Sequence, residues 1–141
     1  MKNITSLPFL FFAAFALLGC ATQPVSTAEA VPVPPDRILA PELLQQADGR
    51  GTVIVKRDSG KMGSGCSARL FVDAKPAADL RTSERVTLHL PGGDHILSAQ
   101  PNGLCGGGMV ETSVRVTPLK THTFRMGYGT AMDFTFTPTA F

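Results

Sequence analysis

The chain has no tryptophan, one tyrosine, three cysteines and three histidines in 141 residues. Without tryptophan there are no interfacial girdles for a transmembrane barrel, and the strand-like runs are too short to span a bilayer. No apolar run reaches the roughly 20 residues of a membrane-crossing helix. A dominant charge is missing too. Lys and Arg number 13 against 11 Asp and Glu, a formal net charge of +2, which does not recruit nucleic acid by counterion release. Two interior cysteines and three scattered histidines match no usual metal-ligand spacing. Neither a Ser-His-acid pattern nor a paired-carboxylate motif occurs, and Gly60-Lys61 precedes Met62 where a phosphate-binding loop needs Ser or Thr. The expectation is a chain that is not an enzyme and carries no cofactor or metal.

What is present begins at the N-terminus. Met1-Lys2-Asn3 is a short positive start, Ile4 to Leu18 is an almost uncharged apolar run, and Leu17-Leu18-Gly19-Cys20 closes it. Charged entry, apolar centre and small residues at the cut make a secretory signal peptide over residues 1–19. The closing motif resembles a bacterial lipobox. That resemblance implies cleavage between Gly19 and Cys20, lipid on the Cys20 sulfur and acylation of the new amino group. Several acyl chains at about 0.8 kcal/mol per buried methylene make a durable anchor. Ala21, standing where Asp retains such proteins in the inner membrane, implies the outer membrane, on its periplasmic face. The first partner is therefore the membrane itself.

Residues 20–35 carry four prolines, small residues and one charge, and read as the lipidated N-terminus plus a flexible tether. Fully extended, it holds the remainder on the order of 40 Å from the bilayer. Residues 36–49 read as a short helical lead-in around Pro41–Ala47, with Gly49 past its end. From residue 50 to 141 the pattern has period two. Val53 and Val55, Ala68 to Val72, Val86 to Leu90, Ile96 to Ala99, Val110 to Val116, Phe124 and Met126, and Phe134 and Phe136 each alternate with polar or outward neighbours. About seven short strands with one polar face predict an all-β fold, a small antiparallel β-sandwich. Asp73-Ala74-Lys75-Pro76, Pro91-Gly92-Gly93-Asp94 and Thr117-Pro118-Leu119-Lys120 read as its hairpin loops.

With Cys20 acylated, Cys66 and Cys105 form an even pair in an exported domain and predict a disulfide worth roughly 4 kcal/mol in the chain-entropy model. Beside Cys105 lies the glycine cluster Gly106-Gly107-Gly108. Such glycines serve tight turns, or let backbone approach a ligand or partner, and this is the candidate interaction loop. Arg69, Arg85, Arg115 and Arg125 share the outward parity. They make either a stripe for anionic groups or, with Asp73, Glu111 and Asp133, cross-strand ion pairs on a solvated face. His89 and His95 read as polar-face and turn residues, and His122 as buried with one satisfied nitrogen.

The stretch from Ala68-Arg69-Leu70-Phe71-Val72-Asp73-Ala74-Lys75-Pro76 to Leu90-Pro91-Gly92-Gly93-Asp94-His95-Ile96-Leu97 resembles PEGA-type β-sandwich modules of small bacterial lipoproteins. Their pattern is strand, Asp-Gly-Lys hairpin, strand, then a Pro-Gly turn ending in His. Here Ala74 replaces the hairpin glycine and Asp94 lengthens the second turn. The resemblance implies an envelope interaction module and no catalytic residue. The expected function is a lipid-anchored binding or scaffolding domain for another envelope protein or the cell wall. Two others stay open: an accessory or immunity-type lipoprotein of a secretion or contact-dependent inhibition system, and an envelope hydrolase.

Overall fold

The computed structural model describes residues 21–140. The expected leader 1–19 with Gly19, the expected acylation site Cys20, and Phe141 lie outside the described residues. Among those described there are nine strands: β1 Val31–Pro32, β2 Arg50–Arg57, β3 Ala68–Val72, β4 Lys75–Leu80, β5 Glu84–Pro91, β6 Gly93–Pro101, β7 Val110–Val116, β8 Thr121–Tyr128 and β9 Phe134–Pro138. They make a five-stranded sheet, β1-β5-β2-β8-β9, and a four-stranded sheet, β4-β3-β6-β7. The all-β expectation holds, and each period-two run is a strand.

The apolar faces of both sheets share one core. Val53, Val55, Leu88, Leu90, Phe124, Met126 and Phe136 come from the first sheet, and Leu70, Leu80, Leu97, Ala99 and Val116 from the second. Period-two alternation supplies those faces, because a strand turns successive side chains to opposite sides.

The structure differs from the expectation in four respects. Two strands, β1 and β4, go beyond the predicted set. Pairing is not purely antiparallel, since β1 runs parallel to β5 and β2 parallel to β8. Only one of the three turns anticipated as hairpins joins paired strands. Asp73 and Ala74, both at positive φ, turn β3 into β4, which is the two-residue geometry such hairpins favour. Gly92 and Thr117–Lys120 instead carry the chain from one sheet to the other. At Gly92 an added Cβ would lie 3.1 Å from the Pro118 ring, so the two corners pack on each other.

The fourth difference concerns the N-terminal segment. Residues from Thr22 onward are no free tether. Thr22, Ala30 and Val33 are buried, and the backbone amides of Gln23, Val31 and Val33 donate to Ser59, Ser83 and Arg85. The chain crosses the outer face of the first sheet, adds β1 at the edge of β5, then reaches β4 through the Leu39 amide, which donates to Ala77. It thereby closes the side between the edges of the two sheets. Arg37 locks it there with a bidentate pair to Glu84 at 2.7 and 2.5 Å. The lead-in holds no α-helix, only 3-10 turns at Pro35–Arg37 and Pro41–Leu44. So short a run cannot offset helix nucleation, and the backbone turns extended at Gln45.

Candidate functional site

Strand directions collect one set of connections at a single end of the molecule. β2 and β8 end there, β3 and β9 begin there, and β4 and β6 run into it. The segments 58–67, 102–109 and 129–133 form this loop end, and the chain from Thr22 enters it.

Thr22 is held at the point where β2 and β8 separate. Its amide donates to the Tyr128 carbonyl at 3.0 Å, and its hydroxyl donates to Asp58 Oδ2 at 3.0 Å. The hydroxyl oxygen also accepts from the Tyr128 amide at 2.9 Å. Asp58, 1% exposed, is clasped from the other side by the Arg125 guanidinium, with Nε 3.0 Å from Oδ1. That carboxylate holds the Arg125 pKa above the ordinary arginine value. Gly127 makes room for the arrangement, because a Cβ there would collide with both Asp58 and Thr22. A buried carboxylate is tolerated here because every side of it is engaged.

Arg57, the last inward position of β2, fills the end of the core. It is 1% exposed. Its guanidinium donates to the carbonyls of Cys66 at 2.6 Å, Leu80 at 2.9 Å and Gly63 at 2.6 Å. Burial pushes its pKa down from the ordinary value. Arg57 therefore organises the 58–67 segment from within, with carbonyl dipoles in place of a counter-ion. Continuing the parity of Val53 and Val55 by one step points Arg57 inward, a signal lost when the strand is ended at Lys56.

The Cys66–Cys105 disulfide is present, with Cα atoms 6.1 Å apart, and ties the 58–67 segment to the glycine-rich 102–109 segment. Tyr128 completes the junction. Its hydroxyl donates to the Gly106 carbonyl at 3.0 Å, and its ring packs against Phe134 with centroids 5.2 Å apart. The three candidate glycines differ. Gly107 has φ 121° and a Cβ there would come within 3.0 Å of Phe134, so glycine is required by the fold. At Gly106 and Gly108 an added Cβ would meet open space. Beside the bridge an open polar cleft of about 530 Å³ is lined by Ser64, Ser67, Arg81, Asn102 and Leu104, among others.

The remaining candidates lie elsewhere and are structurally committed. Arg69 faces Asp79 across β3 and β4 at 2.8 Å, and Arg115 faces Asp94 across β7 and β6 at 2.8 Å. Arg85 donates to the Ala30 carbonyl at 3.1 Å. The arginines thus form ion pairs and a strap contact, but with Asp58, Asp79 and Asp94 in place of Asp73, Glu111 and Asp133. His89 Nδ1 lies 3.3 Å from the Thr52 hydroxyl. His122 is half-buried and its Nε2 accepts from the Thr117 amide at 3.3 Å.

His95 joins the β3–β4 hairpin to the turn that follows β5. Its Nδ1 lies 2.7 Å from Asp73 Oδ2, and its Nε2 lies 2.9 Å from the Pro91 carbonyl. Burial opposes the charged ring, but these two hydrogen bonds outweigh it and raise the His95 pKa above its ordinary value. When protonated, the ring donates from both nitrogens and clamps the β3–β4 hairpin to the β5–β6 corner. Searches with the chain find no matching family model, no matching curated protein and no matching solved structure.

Proposed function

We propose that this protein is a lipid-anchored envelope lipoprotein whose β-domain binds or scaffolds another envelope component without performing chemistry. The carrying observation is the lipobox cysteine standing two positions before Thr22, with a disulfide-stapled domain behind it. Acylation of Cys20 moors the chain, and Ala21 directs it to the outer membrane. Two sheets around one core support the sandwich that the PEGA resemblance implies, and the Asp73–His95 contact supports reading those two motifs as a pair.

A non-enzymatic role is supported by the use made of the polar groups. Both His95 nitrogens face internal partners, His89 Nδ1 faces the Thr52 hydroxyl, and His122 Nε2 accepts a hydrogen bond from the Thr117 amide, so each ring is engaged in the fold. The Asp58 carboxylate is closed in by Thr22 and Arg125.

The test is made in cells. A photo-crosslinking residue at Gly106, and in a second strain at Leu119 on the opposite end, should yield a discrete protein adduct from at least one position. Diffuse adducts from both would refute a dedicated binding module. The Cys20→Ala protein should lose radioactive palmitate and leave the membrane fraction, and retained label would refute the anchor.

A further inference from the structure

We infer that the loop end rests directly on the lipid surface, with Leu104 and Met132 dipping into the headgroup region. This inference rests on the acylated Cys20 of the proposed function.

The first ground is chain length. Only Ala21 separates Cys20 from Thr22, and Thr22 is fixed by its amide and hydroxyl to Tyr128 and Asp58. Consecutive Cα atoms are about 3.8 Å apart, so two peptide links reach at most about 7.6 Å from the Thr22 Cα. An acyl chain on the Cys20 sulfur enters the bilayer at once. The end of the domain that carries Thr22 therefore has no spacer between itself and the headgroups. A free tether over 20–35 would have let any face turn to the membrane; the strapped segment removes that freedom.

The second ground is what this end displays. Leu104 is fully exposed at the tip of the 102–109 segment, Met132 is 60% exposed in the β8–β9 turn, and Met109 is 48% exposed. Met132 and Gly106 line the same small hollow beside Cys105, so the two tips are neighbours. Exposed cations Lys61 and Arg81 are matched at this end by exposed Glu29 and Asp133. A face of balanced charge with apolar tips suits a headgroup layer to which the molecule is already moored, and does not rely on anionic lipid. Exposure alone does not select this face, since Leu119 is 90% exposed at the opposite end. The reach from Cys20 selects it.

The absence of tryptophan permits a clean test. Leu104→Trp, Met132→Trp and Leu119→Trp proteins, expressed from the complete sequence and extracted from cells in detergent, are placed in vesicles of phosphatidylethanolamine and phosphatidylglycerol with brominated acyl chains. All three side chains are exposed and lie outside the core. Each protein is first floated with the vesicles. Blue-shifted emission and heavy bromine quenching at position 104 or 132, with water-like, unquenched emission at 119, support the inference. Floating protein in which 104 and 132 are quenched no more than 119 overturns it and leaves the anchor standing. Protein that does not float overturns the anchor, and this inference with it.

Discussion

Thr22→Val isolates the hold on the N-terminal segment. Valine keeps the shape and removes the hydroxyl, so the Tyr128 amide loses its acceptor and Asp58 loses one donor. Arg125 still engages Asp58, and the backbone bonds of Gln23 with Ser59 at 2.9 Å remain possible. A buried polar group left without its partner costs about 1–3 kcal/mol. That multiplies the local opening equilibrium of the strap by a factor of about 5 to 150. Hydrogen exchange reads it directly. Protection of the Gln23 amide should fall by that factor and the Tyr128 amide, left without its acceptor, should lose its own, while the β2 amides near Val53 and Val55 keep theirs. Unchanged protection at Gln23, or an equal loss throughout β2, would refute a locally pinned segment.

Further expectations follow from the same geometry. Replacing Cys66 and Cys105 together by alanine opens a loop closed over a separation of 39 residues. The loss is about 4 kcal/mol, a fall in Tm of about 15 °C by calorimetry; an unchanged Tm contradicts the bridge. Arg57→Met strands the carbonyls of Gly63, Cys66 and Leu80 and should cost on the order of 3 kcal/mol in urea denaturation, with less than about 0.5 kcal/mol contradicting its role. The His95–Asp73 clamp has a pH signature. The raised His95 pKa makes its contribution complete below about pH 6.5, and that contribution is lost as pH rises through the raised value. In Asp73, burial raises the pKa, but hydrogen bonds from His95 and the Ile96 amide outweigh it and lower the value, so its share is lost only as pH falls through that lowered value. The wild-type denaturation midpoint should therefore drop more than that of His95→Gln as pH rises above about 6.5, and parallel curves would contradict the clamp.

Which elements were legible from sequence follows from how each is stabilised. Val86-Leu88-Leu90 and Phe124-Met126 bury alternate side chains, so period two declares them. β4 conceals itself. Pro76 and the consecutive buried residues Ala77 and Ala78 break the alternation at a register shift between Leu70 and Phe71 of its partner. Proline is tolerated there because β4 is an edge strand. The strap was invisible for another reason. Its composition resembles a linker because backbone hydrogen bonds hold it, with little apolar burial. Yet Val31-Pro32-Val33 turns only alternate amides toward β5, which leaves the proline facing away from the ladder. At the loop end, the cysteine pairing and the glycine cluster were readable. The Thr22–Asp58–Arg125 contact joins residues remote in sequence, and no local pattern announces it.

The most direct measurement is the intact mass, with the sequenced N-terminal peptide, of native protein extracted from membranes by detergent. The expected species begins at Cys20, carries a diacylglyceryl thioether and an N-acyl group, and has Cys66 and Cys105 closed to alkylation. A chain that retains residues 1–19 with a free thiol at Cys20 would contradict the anchored envelope role and the membrane-facing loop end together.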